Sequence, residues 1–121
     1  MTREMDIKIE LKQLLNPIDF FMIAQKFKPV VSNEMRVLDP TKREVLYKRD
    51  NVQVCYSCSF GEESTGFSLV INSTVSLPGA PNTENYLVCY SHTLKDLFGK
   101  TGKDTIDRFK SDLASTLGIQ K

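Results

Sequence analysis

Histidine is almost missing from this 121-residue chain: His92 is the only one. General acid–base chemistry near neutral pH leans on that side chain more than any other, so a catalytic set would have to be assembled around one position. Three cysteines, an odd number, do not close a disulfide framework and indicate an interior, reducing compartment. No stretch approaches the roughly 18 apolar residues of a membrane span, and the polar start is unlike a signal peptide. Charge of one sign is missing as well. The net charge is +1, which excludes strong whole-molecule attraction to nucleic acid or membrane but not a local basic patch.

What remains is ordinary globular composition, 40% hydrophobic and 26% charged, which is not that of a disordered chain. The length fits one domain, residues 1–121, and a chain of this size buries roughly two-thirds of its unfolded surface without metals or disulfides. The segment from Met5 to Lys12 alternates apolar and polar residues as a strand does, yet Ile7, Leu11, Leu14 and Leu15 share a helical face, so both readings stand. Asn16-Pro17 reads as N-cap and first position of a helix with Asp19 in its first turn, continuing through Phe20, Phe21, Met22, Ile23, Ala24 and Phe27 and ending before Pro29. Its apolar residues cover more than one stripe, which places the helix at the centre of the core or against another chain.

Residues 30–43 read as a loop with a short extended piece, Met35 to Leu38, closed by Asp39-Pro40. Strands follow. Glu44 to Arg49 and Val52 to Phe60 flank a tight Asp50-Asn51 turn, Gly61 to Gly66 forms a loop, and Phe67 to Leu77 makes the longest strand. Val52, Val54, Tyr56, Cys58 and Phe60 alternate with polar residues, as do Phe67, Leu69, Ile71, Val75 and Leu77, which predicts an antiparallel sheet with one wet side. After the break at Pro78 to Asn82, Tyr86 to Thr93 forms another strand whose parity stays open, because Leu87/Cys89 and Tyr86/Val88/Tyr90 are both fairly apolar. Thr101-x-x-Asp104 resembles a capping box for a helix with Ile106, Phe109, Leu113 and Leu117 on one face and Gly118 just past its end. The fold class is α+β: an antiparallel meander with one polar face, an N-terminal apolar helix and a C-terminal amphipathic helix.

Four patterns could carry chemistry. Cys55-x-x-Cys58 with Cys89-x-x-His92 is formally a zinc set, but residues three apart on a strand point to opposite faces. A Cys–His nucleophile pair needs a third, orienting group. Gly99-Lys100-Thr101 lacks the glycine of a phosphate-binding loop, with Leu94 in its place. Glu62-Glu63 are neighbours on a loop and do not aim at one point. No catalytic residue, cofactor or metal ligand is therefore assigned, no small-molecule substrate is evident, and the chain is expected not to be an enzyme. The remaining candidate is the wet sheet face: Gln53, Ser57, Ser59, Ser68, Asn72, Thr74 and Ser76, rich in hydroxyls and amides, with Lys42, Arg43 and Lys48 close by.

From about Arg43 onward the layout resembles the coat proteins of single-stranded RNA bacteriophages. The matching features are the hairpin at Asp50-Asn51, the long strand ending at Pro78, and Asn85-Tyr86-Leu87 opening the last strand before a helix. The apolar helix at 17–28 departs from that family's N-terminal hairpin. The resemblance implies dimers whose sheets pair edge to edge, assembly into a shell, location in the virion or cytoplasm, and a sheet face turned to RNA with Tyr86 stacked on a base. The RNA-facing candidates are then Lys48, Ser57, Asn72, Thr74 and Tyr86. The partners expected are further copies of the chain and RNA, and no membrane. Two other readings compete: a small inhibitor acting on a host protein through the 17–28 helix, and a zinc module on Cys55, Cys58, Cys89 and His92.

Overall fold

The structure, a computed structural model, describes residues 3–30 and 42–118. It is α+β: helix α1 (Arg3–Ala24), strands β1 (Lys28–Pro29), β2 (Lys42–Arg49), β3 (Val52–Glu63), β4 (Gly66–Ser76) and β5 (Thr83–Ser91), a short helix α2 (Leu94–Leu97) and helix α3 (Lys100–Leu117). The five strands form one antiparallel sheet in chain order. The segment read as a loop with an extended piece at Met35 to Leu38 lies outside the described residues.

The N-terminal ambiguity resolves to helix, and Pro17 lies inside it rather than at its start. A proline there removes one intrahelical hydrogen bond at a cost of about 3 kcal/mol. Burial of Leu11, Leu14 and Leu15 before it and Ile18 and Met22 after it, all on one stripe, offsets that cost. The helix ends in a Schellman arrangement: the Phe27 N–H donates to the Met22 carbonyl at 3.0 Å and the Lys26 N–H to the Ile23 carbonyl at 2.9 Å. Lys26 adopts the left-handed φ of 70° that this closure requires.

The strand at Glu44 to Arg49 begins two residues earlier, at Lys42. The Gly61–Gly66 loop is a correction. β3 continues to Glu63, Ser64 and Thr65 make the turn, and Glu63 pairs with Gly66. Gly61 keeps strand geometry because it faces Ser68 closely; a Cβ on it would meet the Ser68 hydroxyl at 2.7 Å. β3, with 12 residues, is therefore longer than β4, with 11. The capping box is also corrected: Thr101 lies inside α3, whose N-cap is Gly99 with no side-chain cap bond. The Thr101 backbone carbonyl accepts from the Thr105 hydroxyl at 2.9 Å. Thr93 instead caps α2, accepting from the Asp96 N–H at 3.1 Å. Gly118 closes α3 in the left-handed conformation, as its position indicates.

α1 and α3 both pack on one side of the sheet. Val45, Tyr47, Val54, Tyr56, Cys58, Leu69, Ile71, Val75 and Cys89 face them and are buried together with Ile106, Phe109 and Leu113. Tyr56 is the hub, stacked on Tyr47 with ring centroids 6.2 Å apart and tilted against Phe109 at 6.3 Å. α1 is also tied to the sheet by polar contacts. Arg43 donates to Asp19 Oδ2 at 2.7 Å, Tyr47 donates to Asp19 Oδ1, and the Tyr56 hydroxyl lies 3.4 Å from the same oxygen. Farther along β2, Arg49 donates to the Gln25 carbonyl at 2.7 Å and lies over the Phe27 ring. No helix among the described residues is long and apolar enough to cross a membrane.

Candidate functional site

Since the helices occupy one side, the alternating pleat turns every second strand residue to the other side, over which no helix lies among the described residues. Register sorts its residues into rows. One row runs Glu44, Ser57, Asn72, Tyr86; the next on one side runs Leu46, Cys55, Thr74, Glu84, and beyond it Lys48, Gln53, Ser76. On the other side lies the row Lys42, Ser59, Val70, Val88. All five residues singled out as RNA-facing, Lys48, Ser57, Asn72, Thr74 and Tyr86, therefore share this face. Ser57, Asn72 and Tyr86 are direct cross-strand neighbours, and the Ser57 hydroxyl donates to the Asn72 carbonyl oxygen. Thr74 is one row away. Lys48 stands apart: strand spacing and rise put it about 14 Å across and about 14 Å along from Tyr86.

Arg43 does not belong here. Its parity on β2 turns it to the helix side, where it pairs with Asp19. The face also holds three carboxylates, Glu44, Glu63 and Glu84, so with Lys28, Lys42 and Lys48 it is electrically balanced rather than nearly free of acid. The parity of β5 is settled as well. Cys89 points inward and is buried, whereas Tyr86, Val88 and Tyr90 point outward, 65%, 48% and 54% exposed. Tyr90 and Val88 are site residues that the sequence reading passed over. The β4 register fixes them, because the core residues Leu69 and Ile71 pair with Cys89 and Leu87. At one end of this stripe the Tyr90 hydroxyl donates to Glu63, and that bond raises the tyrosine's pKa.

β3 runs unbroken through Cys55 and Cys58, which consequently lie on opposite faces: Cys55 half-buried on the open side, Cys58 in the core. Cys89 is buried and His92 is exposed at the strand end, its Nδ1 3.3 Å from the Thr65 carbonyl. No group of three or more His, Cys, Asp or Glu side chains suited to a metal occurs among the described residues. Burial pushes the Cys58 thiol up to about 12, while burial and then Glu44 raise Cys55 more modestly. A thiol reagent at neutral pH is expected to modify Cys55 in the native protein and to reach Cys58 and Cys89 only on unfolding; equal rates for all three would contradict this placement. The fold keeps a Cys58 proton that the unfolded chain loses above the ordinary value of 9.0. This contribution is thus intact below that pH and disappears as pH rises toward 12.

The Gly99-Lys100-Thr101 segment joins α2 to α3 as a tight helical junction rather than a glycine loop: the Gly99 N–H donates to the Asp96 carbonyl at 3.1 Å and the Gly99 carbonyl accepts from the Lys103 N–H at 3.0 Å. Glu62 and Glu63 sit on adjacent residues of β3 and thus on opposite faces. The open face offers a hydroxyl and amide lattice bordered by an edge strand with exposed tyrosines. Chemically it can donate and accept hydrogen bonds and stack planar groups. No protein-family model, curated protein or solved structure matches this chain.

Proposed function

We propose that this chain is a non-catalytic, self-assembling structural subunit of the coat-protein type that applies the open face of its sheet to single-stranded RNA. The observation that carries the reading is the adjacency of Tyr86, 65% exposed, to the Ser57–Asn72 pair on the sheet face that no described helix covers. Sequence-tolerant RNA readers use this combination: an exposed aromatic ring stacks on an unpaired base while neighbouring polar groups reach sugar and base edges. Balanced charge on the face fits a contact dominated by stacking, with Lys42 and Lys48 supplying phosphate contacts at its β2 side.

Assembly is supported by the sheet's unequal edges. β1 is two residues long and ends in a proline, whereas β5 presents nine residues with no lysine or proline to protect its outer backbone groups. In this reading two copies join β5 to β5, which continues the open face across both sheets.

Fluorescence-anisotropy titration of a labelled single-stranded RNA tests the RNA contact. Tyr86→Ala is expected to weaken binding by about 1–3 kcal/mol, whereas Tyr86→Phe leaves it nearly intact. Lys48→Ala should lower the salt slope by about one phosphate contact without changing base preference. Equal affinity of wild type and Tyr86→Ala would remove Tyr86 from the interface.

A further inference from the structure

We propose that single-stranded RNA crosses the open face along one diagonal, from Tyr86 on β5 to a two-lysine phosphate clamp, Lys28 and Lys48, at the β1–β2 corner. The inference rests on the RNA-binding reading and adds a route to it, together with a contact residue, Lys28, that the reading does not contain.

The route follows from where the charges fall. From Tyr86 the straight cross-strand row passes Asn72 and Ser57 and ends at Glu44. Along β5 the next outward residue in one direction is Glu84. In the other direction Val88 and Tyr90 lead to Glu63, which accepts from the Tyr90 hydroxyl. Each of these exits carries a phosphate chain onto a carboxylate. The diagonal does not. Stepping in turn across a strand and along a row, it meets Asn72, Thr74, Cys55 and Gln53, all neutral, and arrives at Lys48. Glu84 and Glu44 flank this lane on opposite sides and confine a polyanion to it. The field of Glu44 reaches that far: after burial, it is what raises the pKa of the Cys55 thiol.

The far end of the lane is built from like charges. Lys28 on β1 pairs directly with Lys48 on β2, both are exposed, and neither has an ion-pair partner among the described residues. Like charges set directly opposite on one sheet face destabilise the strand pair. A phosphate between the two ammonium groups removes that repulsion and accepts two charge-assisted hydrogen bonds. Lys42 ends the neighbouring Val88 row, but it is a single cation with Glu44 two residues away on the same strand face. Strand spacing and rise put the clamp about 20–24 Å from Tyr86, so only a strand of several nucleotides reaches from the ring to the lysines.

Cys55 lies in the middle of the lane and is the one thiol of the three that is not buried, which makes it a native reporter. Thiol modification of the full chain is followed at low salt with and without a single-stranded uridine oligomer of about 12 nucleotides. Saturating RNA is expected to slow modification of Cys55 about tenfold. In a Cys55→Ser background, Ser59→Cys places a thiol on the same strand and face but off the lane, and RNA should slow it less than about twofold. Lys28→Ala should lower the salt slope by about 0.7, whereas Lys12→Ala, on the helix side, leaves it unchanged. Equal protection of Cys55 and Ser59→Cys, or an unchanged slope for Lys28→Ala, would overturn the route. If Tyr86→Ala still weakens binding of the same oligomer in that case, the RNA reading stands without it. No binding of the oligomer at low salt would remove both.

Discussion

Asp19→Ala is expected to destabilise the protein by about 3–5 kcal/mol, the usual cost of leaving one member of a desolvated ion pair behind. The Arg43 and Asp19 side chains are only 16% and 18% exposed, and Asp19 also accepts from Tyr47. Removing the carboxylate therefore takes a charged acceptor away from the Arg43 guanidinium and the Tyr47 hydroxyl beneath α1. A domain of this size has a total stability of about 6–18 kcal/mol, so the loss is a large share of it. Replacing the pair together, Asp19→Leu with Arg43→Met, should restore much of the loss, because the arginine no longer needs a counter-charge. Urea unfolding of Asp19→Leu, Arg43→Met and the double variant gives the coupling directly, expected at more than about 1 kcal/mol. A loss below about 1 kcal/mol for Asp19→Ala would mean that the pair behaves as a surface contact.

The second large effect belongs to Phe109. It is fully buried on α3 and meets the Tyr56 ring at 6.3 Å, so it joins helix to sheet at the core's centre. Phe109→Ala is expected to cost about 3–5 kcal/mol through lost burial and the cavity left behind. Leu117→Ala, two turns along the same face but only partly buried, should cost about 1 kcal/mol. Equal losses at the two positions in urea unfolding would show that α3 does not centre on Tyr56.

Much of this architecture was legible in the sequence because period two and period 3.6 were strongly written. The alternation in β3 and β4 assigned Tyr56, Cys58, Leu69 and Ile71 to the core, and Ile106, Phe109 and Leu113 gave the buried stripe of α3. Errors arose where a local signal lost to packing. Pro17 speaks for a helix start, yet the five buried residues around it continue one stripe through it. Gly61 speaks for a loop, yet it stays in the ladder because Ser68 crowds it. Thr101 has the chemistry of a cap but sits two residues past the N-cap Gly99, already inside α3, while Thr93 caps α2. For the candidate site, Ser57, Asn72 and Thr74 followed from alternation alone. Arg43, Glu44 and Tyr90 did not, because a short mixed strand has no readable parity until its register against a neighbour is fixed.

Light scattering of the purified full chain, with absorbance followed at 260 nm, tests the central claim of an assembling, RNA-bound subunit most directly. The expected result at micromolar concentration is a particle well above the 13.7 kDa monomer that carries nucleic-acid absorbance at low salt and sheds it as salt rises. A single 13.7 kDa species with a protein-only spectrum at low salt would contradict it.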